Sequence, residues 1–169
     1  HYAQGMAALR LGRKDEAAAH LAALQKGVAD PKLETLKVWD RYSLANAARI
    51  AERTLAAEID ADAGRYPQAI AALREAVTVE DNTPYDEPPA WHSPVRQSLG
   101  AVLLAAGQPA EAESAYREEL KRNPDNGWSL FGLAQAQRAQ HKEAEAKATD
   151  QAFANAWKDA DVKLSSSRF

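Results

Sequence analysis

The chain of 169 residues contains no cysteine. This excludes disulfide bonds, thiol catalysis and zinc sites with cysteine ligands, and it is compatible with either the cytoplasm or the periplasm. The net charge is only −3 at pH 7 and there is no basic run, which argues against a nucleic-acid or membrane surface. No apolar run is long enough to span a membrane, and no signal-peptide pattern is present. The expected partner is therefore neither nucleic acid nor membrane.

Sequence signatures of catalysis are also missing. The chain has no G-x-S-x-G motif, phosphate loop or glycine-rich dinucleotide fingerprint. Adjacent Asp86 and Glu87 would point to opposite sides of an extended segment, which is poor geometry for a carboxylate pair. The histidines lack metal-ligand spacing, so we expect no enzyme, cofactor or metal. A metal site that joins His1 or His92 to Asp86 or Glu87 stays open as an alternative.

Helical periodicity dominates what is present. Hydrophobic residues make up 46% of the chain and charged residues 27%, which is typical of a folded protein. In the stretch 93–124, Val95, Leu99 and Val102 recur at three- and four-residue steps and so share one helix face. Gly107 is suited to end this helix, and Pro109 to begin the next. The pattern predicts a helix–turn–helix hairpin that stops before Pro124.

The turn of this hairpin recurs along the chain. GRKDEA begins at residue 12, GRYPQA at 64, GQPAEA at 107 and HKEAEA at 141. An alanine follows each turn residue five positions later: Ala17, Ala69, Ala112 and Ala146. From 107 to 141 the spacing is 34 residues. Four copies in order predict a helical repeat architecture.

This pattern resembles the tetratricopeptide repeat (TPR), whose period is 34 residues. The resemblance covers nearly the whole chain and implies an all-α, TPR-type α-solenoid of about four helical hairpins in a single domain, 1–169. We expect repeats at about 1–29, 44–80, 93–124 and 126–162, with inserts at about 30–43 and 81–92. Because residues 1–11 already read as the middle of a repeat helix, we expect the chain to be the C-terminal part of a longer protein. The segment YDEPPAWHSPVR is similar to one near the C-terminus of certain bacterial multi-repeat TPR proteins.

The resemblance implies that the inner helices line a concave groove that binds an extended peptide or a partner helix. The residues that the repeat register places there are Tyr2, Met6, Leu9, Arg10, Thr54, Glu58, Asp62, Gln97, Ala101, Leu104, Trp128, Phe131, Gln135 and Arg138. The lysine/asparagine/arginine clamp of chaperone-binding TPR domains has no match here, so binding of a carboxyl terminus is not expected.

The proline-rich insert 81–94 is the second candidate site. Four prolines in fourteen residues are incompatible with a regular helix. The candidate contacts within it are Tyr85, Asp86, Glu87, Trp91 and His92. The insert could form one wall of a pocket, or its prolines and Trp91 could simply cover a junction between repeats.

Three other segments carry structural expectations. In the insert 30–43, Leu33, Leu36 and Trp39 predict a short helix with an apolar edge. The last helix is expected from Lys142 to about Val162 as a solvent-facing cap, because Asp150 takes the place of a bulky residue. The tail 164–169 reads as a frayed terminus.

The pattern as a whole predicts a non-catalytic scaffold that binds a protein or peptide partner. Apolar anchors would supply affinity, and groove charges such as Glu58, Asp62 and Arg138 would select among partners. The alternative is a small-molecule or metal-binding accessory domain of a larger bacterial protein. Self-association through exposed end helices is a further possibility, because an uncapped repeat face is apolar.

Overall fold

The computed structural model describes residues 1–38, 40–84 and 86–168. Its architecture is all-α and TPR-like, as predicted, and it forms two compact units that meet in sequence between Val95 and Arg96. The helices are α1 (Tyr2–Arg10), α2 (Lys14–Val28), α3 (Leu44–Asp62), α4 (Tyr66–Asp81), α5 (Val95–Ala105), α6 (Pro109–Arg122), α7 (Gly127–Arg138) and α8 (Glu143–Ala156). Within these described residues, no helix combines the length and the apolar character that a membrane span needs.

The four hairpin turns share one backbone geometry. The turn residue adopts the left-handed region in each case, with φ of 73° at Gly12, 73° at Gly64, 72° at Gly107 and 59° at His141. The amide of the following residue then donates to the carbonyl five positions earlier, as in Arg13 to Ala8 (2.9 Å) and Lys142 to Gln137 (3.0 Å). This bond satisfies a carbonyl that the helix end leaves open.

The alanines that follow the turns are buried in all four hairpins. Ala17, Ala69 and Ala112 are fully buried, and Ala146 is 1% exposed. A side chain no larger than a methyl group allows two helices to approach closely, which explains why the sequence pattern repeats alanine there.

In the first unit, α3 is the central helix. It packs against α1, α2 and α4, and its Ile50 and Leu55 are among the largest fully buried side chains. Leu73 of α4 is also fully buried. The first unit therefore has an aliphatic core around one long helix.

The second unit is built around one aromatic ring. Tyr116 of α6 is fully buried, and its ring lies against Gly100 of α5 and Gly132 of α7. A Cβ atom at either glycine would lie far inside van der Waals distance of that ring. The two glycines thus create the space that the phenol fills.

A buried carboxylate ties the hairpins of the second unit together. Glu113 of α6 accepts hydrogen bonds from Lys142 Nζ (2.8 Å), Gln140 Nε2 (2.7 Å) and Arg117 Nε (2.8 Å). Burial alone would raise the pKa of Glu113, but these donors outweigh it and lower the pKa to about 2. Glu113 is therefore ionised at neutral pH.

The short helix predicted in the insert 30–43 is present only at its start, and as a 3-10 helix. A 3-10 helix covers Pro31–Thr35, and an antiparallel pair follows, β1 (Lys37–Val38) with β2 (Tyr42–Ser43). Leu36 is extended and 48% exposed, so it does not form the predicted apolar edge. Trp39 lies outside the described residues. Asp40, in the turn between the strands, has a φ of 57° that the helical prediction did not allow.

The C-terminal prediction is also wrong in two respects. Helix α8 ends at Ala156, well before Val162, and the chain then continues without regular secondary structure. The segment beyond it is not frayed throughout, because Ser167 is only 1% exposed.

Candidate functional site

An aromatic cluster lies on the first helix of the first unit. The ring of Tyr2 lies edge-on to Trp91, with centroids 5.1 Å apart, and 5.9 Å from the ring of His92. Trp91 and His92 are themselves 4.7 Å apart. Aromatic pairs favour such edge-on and tilted arrangements. Two of the five predicted loop residues are thereby brought onto a predicted residue of α1.

The proline-rich loop is held at its far end by a helix cap. Glu80, in the last turn of α4, accepts a hydrogen bond from the backbone amide of Val95 at the start of α5, with an N–O distance of 3.1 Å. Pro88 and Pro89 are exposed, whereas Trp91 is half-buried. The loop is thus anchored by Trp91 and by the Glu80 cap rather than by its prolines.

An ion pair joins α1 to α3 beside this cluster. Arg10 Nη2 lies 2.7 Å from Glu58 Oε2, and the Glu58 side chain has no solvent exposure whereas that of Arg10 is 37% exposed. Burial raises the pKa of Tyr2 to about 12, with a further rise from the Glu58 carboxylate and a partial offset from Arg10. The phenol of Tyr2 is consequently neutral at physiological pH and can donate a hydrogen bond.

Other predicted residues of α1 and α3 lie on the same pair of helices. Thr54 is 3% exposed, and its hydroxyl has no hydrogen-bond partner among the described residues. Met6 is half-buried. Asp62 forms an exposed ion pair with Lys14, at 2.7 Å. The charges that were expected to select partners are therefore engaged with neighbours of opposite sign.

The acidic loop residue Asp86 and the loop residue His92 contact different parts of the first unit. Asp86 lies 3.4 Å from Arg41 of the turn between β1 and β2, while Glu87 is exposed. Tyr85, the fifth predicted loop residue, lies outside the described residues. His92 instead packs on Tyr2 and Trp91. These contacts give Asp86 and His92 different partners, and the small-molecule or metal-binding domain stays an alternative hypothesis.

Two histidines of the first unit lie close together, without a carboxylate group that would complete a metal site among the described residues. His1 Nδ1 and His20 Nδ1 are 3.0 Å apart, a pairing that sequence spacing did not indicate. Across residues 1–38, 40–84 and 86–168, no group of three or more histidine, aspartate or glutamate side chains is arranged to hold a metal ion.

In the second unit, the predicted aromatic contacts pack on the last helix. Trp128 lies edge-on to Trp157, with centroids 5.9 Å apart, and Phe131 lies 5.6 Å from Phe153. Phe153 and Trp157 stack on each other at 5.8 Å. Both predicted residues are half-buried, so they serve the packing of α7 against α8 and offer a partner only part of their surface.

The polar residues predicted in the second unit are also engaged. Gln97 of α5 is 5% exposed, and its side-chain amide donates to Asn126 Oδ1, the cap of α7, at 2.9 Å. Arg138 forms an ion pair with Asp150. Gln135 is half-buried. Gln97 therefore ties two helices together, and it is not an open contact.

Sequence reasoning missed the residues that complete this unit. Ser167 Oγ lies 2.6 Å from the hydroxyl of Tyr116 and 3.1 Å from the carbonyl oxygen of Gln97. One signal could have indicated it. A tyrosine placed between two glycines buries its hydroxyl, and a buried hydroxyl needs a partner.

Comparison with known proteins agrees with this architecture. Residues 94–136 match the family model of the tetratricopeptide repeat, a stretch that contains all of α5 and α6 and most of α7. No curated protein and no solved structure matches the chain. Tetratricopeptide repeats generally mediate protein–protein interactions and form a non-catalytic scaffold family.

Proposed function

We propose that this chain, which carries a tetratricopeptide repeat match, is a non-catalytic scaffold that binds a protein or peptide partner. The surface that we propose for binding comprises α1, α3 and the loop residues 86–94; we call it the α1–α3 surface. The observation that carries the proposal is the cluster of Tyr2, Trp91 and His92 beside the Arg10–Glu58 ion pair.

The chemistry of this cluster suits binding better than catalysis. Tryptophan, tyrosine and arginine are the residue types that contribute most binding energy at protein interfaces. Trp91 and Met6 are half-buried, so each keeps apolar surface that a partner can cover. Tyr2 is neutral at pH 7, as tyrosine ordinarily is, and its raised pKa makes ionisation still less favourable, so the phenol is a hydrogen-bond donor and a poor general base.

The charges around the end of α1 indicate which partners fit. The side chains of Arg10, Arg13 and Lys14 are 37%, 63% and 67% exposed. Each cation has a carboxylate partner, Glu58, Glu16 or Asp62, and a partner carboxylate would compete most readily for the exposed Arg13 and Lys14. We therefore propose a partner segment with an apolar anchor for Trp91 and at least one acidic residue.

The second unit contributes less to this proposal. Of the contacts predicted there, we retain Gln135 and Arg138 as partner contacts, together with the exposed edges of Trp128 and Phe131. Arg138 is exposed and would have to exchange Asp150 for a partner carboxylate.

The test is selection from a random peptide display library on the immobilised chain, followed by affinity measurements. We expect enriched peptides to contain an aromatic or aliphatic residue near an acidic one. Trp91→Ala should weaken their binding about tenfold, equivalent to about 1.4 kcal/mol. Arg10→Gln should weaken the acidic peptides selectively.

The matched control is Leu11→Ala. Leu11 is 66% exposed at the end of α1 and has no place in the cluster, so this variant should bind the selected peptides like the wild type. The proposal fails if no peptide is enriched over an unrelated helical protein. It also fails if Trp91→Ala and Leu11→Ala bind equally well while circular dichroism shows both folded.

A further inference from the structure

The segment after α8 turns back toward the helices that precede it. Trp157 closes the turn, because its indole Nε1 donates to the carbonyl oxygen of Val162 at 2.7 Å. From there to Arg168 the chain has no regular secondary structure. Ser165 is exposed and Ser166 is half-buried, whereas Ser167 is 1% exposed. Burial in this run of three serines is thus specific to one position.

Ser167 occupies a site made by three helices. Its hydroxyl lies 2.6 Å from Tyr116 of α6 and donates to the carbonyl of Gln97 of α5 at 3.1 Å. The Tyr116 ring reaches this site by passing against Gly100 of α5 and Gly132 of α7. Ser167 therefore lies beside α5 and next to the Tyr116 hydroxyl, and the repeat register predicts that Gln97 of α5 faces the groove.

The two hydrogen bonds define which chemical group fits beside Tyr116 and Gln97. The Gln97 carbonyl accepts, so the entering group must be a donor, and the Tyr116 hydroxyl can donate in return. A small hydroxyl side chain meets both needs within a space that excludes water. Alanine or valine would leave the Tyr116 hydroxyl without its partner, which is costly for a buried group.

We propose that residues 163–168 are an intramolecular ligand of the α5–α7 face, and that this face binds extended segments of the same kind. The partner that it fits is an extended peptide with a serine hydroxyl at the position of Ser167. Such a partner must displace the chain's own segment, so the attached segment lowers the apparent affinity for any competitor. This proposal concerns the second unit and does not depend on the α1–α3 surface.

The first experiment measures binding of a labelled synthetic peptide with the sequence of residues 158–168 to the full chain. Three forms are compared by fluorescence anisotropy: the wild type, Ser167→Glu and Ser165→Glu. Glutamate cannot enter the buried site at 167 without losing its hydration, so the attached segment should leave the face. At the exposed position 165 the same substitution should change nothing, which makes it the matched control.

We expect the peptide to bind Ser167→Glu about tenfold more tightly than it binds the wild type or Ser165→Glu, because the attached competitor is lost. A peptide with valine at the position of Ser167 should not bind. Equal binding to all three forms, or binding to none, overturns the proposal.

Hydrogen exchange on the wild type tests the same proposal without any substitution that could prevent folding. The backbone amides of Ser167 and Arg168 should exchange about tenfold more slowly in the chain than in the free peptide, since Ser167 is buried and the Arg168 amide donates to Ser166 Oγ. An excess of the unlabelled peptide should accelerate their exchange. Exchange at the free-peptide rate in the absence of competitor also overturns the proposal.

Discussion

The two units use the same hairpin but differ in what lies on their inner helices. In the first unit, α1 and α3 carry a half-exposed aromatic cluster and an ion pair between Arg10 and Glu58. In the second unit, the corresponding face carries the buried hydroxyls of Tyr116 and Ser167. The repeat pattern alone does not distinguish these two faces. Segments outside the repeats make the difference, the proline-rich loop in one case and the C-terminal segment in the other.

The difference extends to how the helices are held. The first unit packs aliphatic side chains. Its Gly5 lies against the flexible end of the Leu55 side chain. The second unit packs a rigid ring between Gly100 and Gly132. A flexible side chain tolerates small changes that a ring does not. We therefore expect the second unit to be the more sensitive to substitution.

The strongest test of this contrast compares Gly132→Ala with Gly5→Ala. The new methyl group at 132 would collide with the Tyr116 ring, which has no room to move, and should lower the free energy of unfolding by about 3 kcal/mol. At position 5 the new methyl group meets the end of the Leu55 side chain, which is more easily displaced than a ring, and lies 3.2 Å from the Cβ atom of His20. The higher helix propensity of alanine offsets part of this strain, so the loss should stay below that at position 132, at about 1 kcal/mol. Chemical denaturation measures both values.

Hydrogen exchange can assign each loss to its unit. Gly132→Ala should accelerate exchange in α6 and α7 and leave α1 and α3 unchanged. If the two variants lose equal stability, the ring is not the more rigid neighbour and the contrast is wrong.

A second test concerns the ion pair of the first unit. Arg10→Ala removes a charge 2.7 Å from the fully buried Glu58, and we expect a loss of about 2 kcal/mol, less than for a wholly buried pair because Arg10 is partly exposed. Lys14→Ala is the control: Lys14 also lies 2.7 Å from a carboxylate, that of Asp62, but both groups are exposed. Its loss should be below about 1 kcal/mol. Thermal unfolding at two salt concentrations would check both, since only the exposed pair should be screened strongly.

The smallest expected effect is a pH dependence in the second unit. The folded-state pKa of Glu113 is about 2, below its ordinary value of 4.5. Its ionised form therefore stabilises the folded chain at pH values above 4.5, and this contribution disappears as the pH falls from 4.5 to 2. Glu113→Gln should cost about 1 kcal/mol at pH 7 and flatten this acid dependence.

The control for that measurement is Glu118→Gln. Glu118 is exposed on the same helix, and a hydrogen bond from Lys121 lowers its pKa. Solvent screens this pair, so in Glu118→Gln the free energy of unfolding should fall with decreasing pH as steeply as in the wild type. A slope equally reduced in both variants would mean that Glu113 has no special role.

Much of the fold could be predicted because its determinants are local. A left-handed residue at the end of a helix favours glycine, and an alanine five positions later permits close packing, so both features are visible in sequence. All four predicted turn residues have positive φ, and all four predicted alanines are buried. The all-α fold class followed from these two patterns. The single-domain organisation of 1–169 stays a prediction.

The candidate sites depended on contacts between distant residues, which the repeat register does not reveal. The register placed Gln97 in a groove, but it cannot show that Asn126 uses its side chain or that Ser167 lies on its carbonyl. Serine carries no hydrophobic signal, so the burial of Ser167 left no trace in the periodicity. In the insert 30–43 the prediction missed the strand pair after the 3-10 helix, because spaced leucines alone do not distinguish a helix from a strand pair.

The shared turn geometry has a consequence for how such a chain can change its length. Gly107 and His141 are 34 residues apart, and both adopt the left-handed conformation. A tandem copy of residues 107–140 would consequently begin and end at a residue in the left-handed conformation. Gene duplication could therefore lengthen the array without a new type of turn. The extra residues of the inserts lie between hairpins rather than within them. Addition of whole 34-residue repeats therefore preserves the core contacts, because each hairpin depends mainly on its immediate neighbours.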